Sequence, residues 1–130
     1  MNNLHINPTD SSLLIDFDVQ KGELMLKGES RPENCSEFFN PISKWLENYK
    51  VLLAQGDNKK VFIKFHLDYF NSTSAKYLTD IFLILKEIQT MSHVDLIIEW
   101  HYKSIDEEIL ESGEDFKVMS GVDMNFLPFK

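Results

Sequence analysis

The spacing of apolar residues changes several times along the chain, and each change marks an element. Leu13 to Asp18 and Glu23 to Gly28 are short segments with strand character. In the second, Leu24 and Leu26 alternate with Met25 and Lys27, so one face is the more buried. Val19-Gln20-Lys21-Gly22 supplies a turn between them, and the pair reads as a β-hairpin. Phe38, Phe39, Ile42, Trp45, Leu46, Tyr49, Leu52 and Leu53 then follow helical spacing, with Gly56 as a stop. Asn34 and Glu37 have the spacing of a capping box ahead of this helix. Pro41 falls inside the run, so the helix either begins near Asn40 or kinks early on its outer side.

The second half repeats a strand–helix alternation. In Lys60 to Asp68, Val61, Ile63, Phe65 and Leu67 point one way and Phe62, Lys64, His66 and Asp68 the other. Leu78, Ile81, Phe82, Leu85 and Ile88, flanked by Tyr77, Ile84 and Met91, make a wide helical stripe. Val94 to Tyr102 is a strand with Leu96, Ile98 and Trp100 on one face. Ser104 and Glu107 form a capping box before a helix carrying Ile105, Ile109, Leu110 and Phe116, with Gly113 weakening its middle. Asp123 to Phe129 is a final strand that Pro128 confines to an edge. Met1 to Ser12, polar and containing Pro8, reads as a loose lead-in. The order is β-β-α-β-α-β-α-β. The strand–helix–strand unit around the second helix demands a right-handed crossover between parallel strands. The expected fold is a single α/β domain over residues 1–130, a mixed sheet of about five strands with helices packed on it.

Composition narrows the function classes. Hydrophobic residues make up 43% of 130, enough for a core without staples. The net charge of −8 repels nucleic-acid backbones and anionic membrane surfaces, so neither is an expected partner. No run approaches the roughly 20 apolar residues of a membrane span, and the N-terminus lacks a signal-peptide core, which together suggest a cytoplasmic protein. Cys35 is the only cysteine and reads as a small buried thiol. His5, His66, His93 and His101 show no helical ligand spacing, so no metal or other cofactor is expected. The acidic run from Asp106 to Asp115 reads as a solvated helix face. A Gly-x-Ser-x-Gly elbow and a phosphate-binding glycine loop are absent.

The segment Tyr69-Phe70-Asn71-Ser72-Thr73-Ser74-Ala75-Lys76 is the most informative. It joins the end of an apolar strand to the start of an apolar helix, where open α/β folds place their sites. Helix capping is the ordinary role of such hydroxyls. Three in succession exceed what one cap needs, however, and a helix start with Lys76 in reach tolerates a phosphate. The segment is therefore either a cap or a phospho-switch. A small enzyme with a pocket near His66, Tyr69 and Ser72 and a constitutive interaction scaffold are the other readings.

Four groups of residues carry a resemblance. They are Gly28-x-Ser30-x-Pro32-Glu33-Asn34; then Phe39, Pro41, Trp45-Leu46 and Tyr49; then Tyr69-Phe70-Asn71-Ser72-Thr73-Ser74-x-Lys76; and Gly113-Glu114-Asp115-Phe116. Over roughly Leu13 to Phe129 the chain resembles the SiaC-type bacterial regulatory phosphoproteins, domains with an anti-sigma-factor-antagonist-like (STAS-like) fold. Arg31 departs from that pattern, which usually has an aromatic before the proline. The resemblance implies a non-enzymatic partner switch. A cognate serine/threonine kinase adds a phosphate, a metal-dependent phosphatase removes it, and the unmodified form binds and activates a diguanylate cyclase. It places the acceptor at Ser72, with Thr73 the alternative and Ser74 as the helix cap. It gives partner contacts to Tyr69, Asn71, Ser72, Thr73, Ser74, Lys76, Pro32, Glu33 and Asn34.

Overall fold

A computed structural model describes every residue from Met1 to Lys130. The elements are β1 (Leu4–Ile6), β2 (Leu14–Asp18), β3 (Glu23–Ser30), α1 (Cys35–Gln55), β4 (Lys59–Phe70), α2 (Ser72–Gln89), β5 (Val94–Lys103), α3 (Glu107–Ser120) and β6 (Asn125–Phe129). They form one six-stranded sheet in the order β1-β2-β3-β4-β5-β6. The first three strands pair antiparallel and β3 to β6 pair parallel. Each crossover steps one strand further in the same direction, so three right-handed crossovers place all three helices on one face. The alternation of β4 agrees: Val61, Ile63, Phe65 and Leu67 are buried while Phe62 and Asp68 are exposed.

The mixed α/β class stands, but the sheet has six strands, not about five. The added one is β1, within the supposed lead-in. Leu4 and Ile6 pack against the core and pair with Phe17 and Ile15. Two side-chain bonds hold the same stretch: Val19 N–H donates to Asn3 Oδ1 at 2.8 Å, and Trp45 Nε1–H to the Asn2 carbonyl at 2.8 Å. Two apolar positions are too short a pattern to read as a strand, and only the neighbouring hairpin makes them one.

α1 runs unbroken from Cys35, with Asn34 as its cap, rather than from Asn40. Pro41 is tolerated because it is exposed, so water can serve the Glu37 carbonyl that lacks a donor. α3 is capped by Asp106, whose carboxylate accepts the Ile109 N–H at 3.1 Å, and not by Ser104. Ser104 is held elsewhere, its N–H donating to the Phe129 carbonyl of the edge strand at 2.7 Å.

The core has an aromatic spine under β4 and β5. Phe65 stacks on Phe82 at 4.7 Å, Phe82 on Phe116 at 5.0 Å, and Trp100 lies 5.9 Å from Phe116. Trp100 is fully enclosed and donates Nε1–H to the Ile109 carbonyl at 3.0 Å. Gly113 makes room for it. A Cβ there would stand 2.6 Å from the indole nitrogen. Glycine in a helix interior costs about 1 kcal/mol against alanine, so Gly113→Ala would stabilise a free surface. Here overpacking, at about 1–3 kcal/mol, exceeds that gain. Urea unfolding of Gly113→Ala should show a net loss of up to about 2 kcal/mol; a gain would show that the indole relaxes freely.

Candidate functional site

The site sits where β3 and β4 end and α1 and α2 begin. Near its end β4 carries one extra residue: Gly28 pairs with Leu67 but Glu29 pairs with Tyr69, which leaves Asp68 as a bulge. Gly28, opposite, has φ +114°, a conformation that side chains resist. The bulge resets the alternation, so Phe70 turns inward to meet Phe116 at 5.7 Å while Tyr69 stays 49% exposed.

Asn71 caps α2, its Oδ1 accepting the Ser74 N–H at 2.8 Å. Ser72 and Thr73 are the first two helical residues and both are exposed; Lys76 is exposed one turn further on. The expectation that Ser74 is the cap is corrected. Ser74 is 0% exposed and its hydroxyl faces inward. It donates to the Ser30 carbonyl at 3.0 Å and accepts from the Ser30 hydroxyl at 2.9 Å. The Cys35 thiol, also buried, lies 3.7 Å from the Ser74 hydroxyl. A group sealed in this way cannot be a contact surface or meet an approaching enzyme.

Ser30 is the residue that spacing could not assign a task, because its partner is 44 positions away. Its carbonyl accepts two hydrogen bonds, from the Ser74 hydroxyl and from the Asn71 N–H at 3.0 Å. That joint holds the Pro32-Glu33-Asn34 loop beside the Asn71–Ser74 turn. Pro32 is half-buried, Glu33 and Asn34 are exposed. Glu33 and Asn34 border a shallow hollow of about 440 Å³ with Ile6, Glu37, Phe38 and Pro41. Of the residues expected to meet partners, Glu33, Asn34, Tyr69, Ser72, Thr73 and Lys76 are exposed at this end of the sheet and Ser74 is buried.

The helices differ in their charge at this end. α1 has Glu37 in its first turn and α3 has Glu107 and Glu108, whereas α2 has no acid there. The positive end of the α2 dipole is therefore left without a complementary charge.

His66 and His101 are register partners on the other face of the sheet, with ring centroids 6.2 Å apart. Burial is the main cause that lowers the His66 pKa; Lys27, Lys64 and His101 act in the same direction and Asp68 against it. None of the five main surface hollows is lined by His66, Tyr69 or Ser72. No group of three or more His, Cys, Asp or Glu residues is placed to hold a metal ion. No helix is long and apolar enough to cross a membrane.

A family model described as SiaC family regulatory phosphoprotein matches residues 6–129. The chain belongs to the SiaC family. An uncharacterized protein of Pseudomonas aeruginosa (strain UCBPP-PA14) is 33% identical over 117 residues, 90% of this chain and 89% of that one. The crystal structure of apo-SiaC from Pseudomonas aeruginosa superimposes with a TM-score of 0.83 at 30% identity, covering 98% of this chain and 99% of that one. A second crystal structure, of the diguanylate cyclase SiaD in complex with its activator SiaC from the same organism, matches with a TM-score of 0.85 at 30% identity, covering 97% and 99%. The mixed α/β architecture expected from the sequence is thus the architecture of SiaC, and the motif residues fall within the matched span.

The joint and the acceptor candidates respond differently to truncation. Ser74→Ala strips the Ser30 hydroxyl of its acceptor inside the core and should cost about 1–3 kcal/mol. Asn71→Ala removes a cap and should cost about 1 kcal/mol. Ser72→Ala and Thr73→Ala, at exposed positions, should stay within about 0.5 kcal/mol. Thermal unfolding of the four variants checks the order; a Ser72→Ala loss matching that of Ser74→Ala would contradict it.

Proposed function

We propose that this protein is a phosphorylation-controlled partner switch, in which the form unmodified at Ser72 binds and regulates a diguanylate cyclase. Thr73 is the alternative acceptor. One observation carries the choice of segment: of the three clustered hydroxyls, Ser74 is locked inside and only Ser72 and Thr73 face solvent. A serine/threonine kinase adds the phosphate and a metal-dependent phosphatase removes it. The cyclase partner is inferred from SiaC, which appears as an activator in complex with the cyclase SiaD.

The physics of the position suits a reversible mark. A phosphate carries about −1.5 to −2 charges. Placed on the first turn of α2, it meets a helix end that has no acid of its own, so the fold tolerates it. Its effect is external. A partner surface matched to a neutral hydroxyl would have to accept an anion, and Asp68, exposed on the bulge, adds to the repulsion.

Co-expression with the cognate kinase should add one phosphate, which peptide mass spectrometry should place within Asn71–Lys76. Ser72→Ala should abolish it, and the modified protein should unfold at a temperature no lower than the unmodified one. Modification confined to another segment would refute the reading. A phosphate retained in Ser72→Ala but lost in Thr73→Ala would move the acceptor by one residue.

A further inference from the structure

The geometry points to an internal clamp: Arg31 leaves Glu29 and pairs with the phosphate on Ser72. The inference rests on the phosphosite reading above and concerns how the mark is held. The Ser30 carbonyl accepts the Asn71 N–H at 3.0 Å, and Arg31 and Ser72 are the next residues beyond that joint. Each lies one Cα–Cα step, about 3.8 Å, from a residue of the bonded pair. The Arg31 N–H donates to the Ser11 carbonyl at 2.8 Å, which fixes where its side chain starts.

The guanidinium is lightly engaged. Its Nε–H donates to Glu29 at 3.1 Å, with the two side chains 52% and 42% exposed, and Nη2 reaches the Asp10 carbonyl at 3.4 Å. An exposed pair of this kind contributes little, and most of the five guanidinium donors remain free. A phosphate near its second ionisation offers three acceptor oxygens and nearly twice the charge of a carboxylate, and arginine engages it through two parallel hydrogen bonds. The exchange of Glu29 for phosphate is therefore favoured. Asp68 and Glu33, exposed at the same end of the sheet, are anions that oppose the phosphate. Lys76, four residues after Ser72 and exposed, is the rival cation, but it acts only as a point charge. The clamp means that modification changes both loops: Arg31 swings across the joint and Glu29 is released.

The test places phosphoserine at position 72 by genetic-code expansion and follows its second ionisation by 31P NMR. Arginine pairing favours the dianion, so the phosphate should ionise with an acid constant at least about threefold larger than in Arg31→Gln. Glu29→Gln, which removes the competing carboxylate, should raise the constant further. Equal titration of the parent and Arg31→Gln, or a shift that disappears only in Lys76→Gln, overturns the clamp. Because the phosphate is installed without a kinase, this outcome is separate from the phosphosite reading, which fails on peptide mapping instead.

Discussion

The Ser30 carbonyl is the constraint on which the site depends. It ends β3, accepts hydrogen bonds from the Asn71 N–H and the Ser74 hydroxyl, and so ties the start of α2 to the loop that starts α1. Burial makes these bonds consequential, since an unpaired polar group here would face no water. The same joint sorts three chemically similar hydroxyls. Ser74 is consumed by the core, which leaves Ser72 and Thr73 pointing outward on a rigid mount.

Much of this architecture was legible in the order of residues. β4, up to its bulge, and β5 betray themselves by alternation, because one face of the sheet is covered by helices and the other is not. α2 does so by a stripe wide enough to be buried against sheet and neighbouring helices together. The parallel pairing followed from the crossover rule, and the edge position of β6 from Pro128. β1 was hidden because its pattern is only three residues long and gains meaning from β2.

The caps were harder for a different reason. Within Asn71-Ser72-Thr73-Ser74 every side chain can cap a helix, so local propensity does not choose among them. Tertiary structure chooses: Ser74 finds a buried partner from a distant strand, and Asn71 is left to bond the free N–H. At α3 the edge strand holds Ser104, and Asp106 takes the cap. The family motifs carried the functional reading further than spacing did, since spacing marked the segment as unusual but by itself favoured a cap over a switch.

Switching by a single charge needs a mount that does not move and a surface that does not hide. The joint at Ser30 supplies the first and the exposed first turn of α2 the second. The most direct test is the affinity of this protein for the diguanylate cyclase proposed as its partner, measured by calorimetry with unmodified protein and with phosphoserine at position 72. Burying an unmatched phosphate at the interface at a cost of about 3 kcal/mol corresponds to more than a hundredfold loss of affinity. Equal affinities for the two forms would contradict a switch at this hydroxyl.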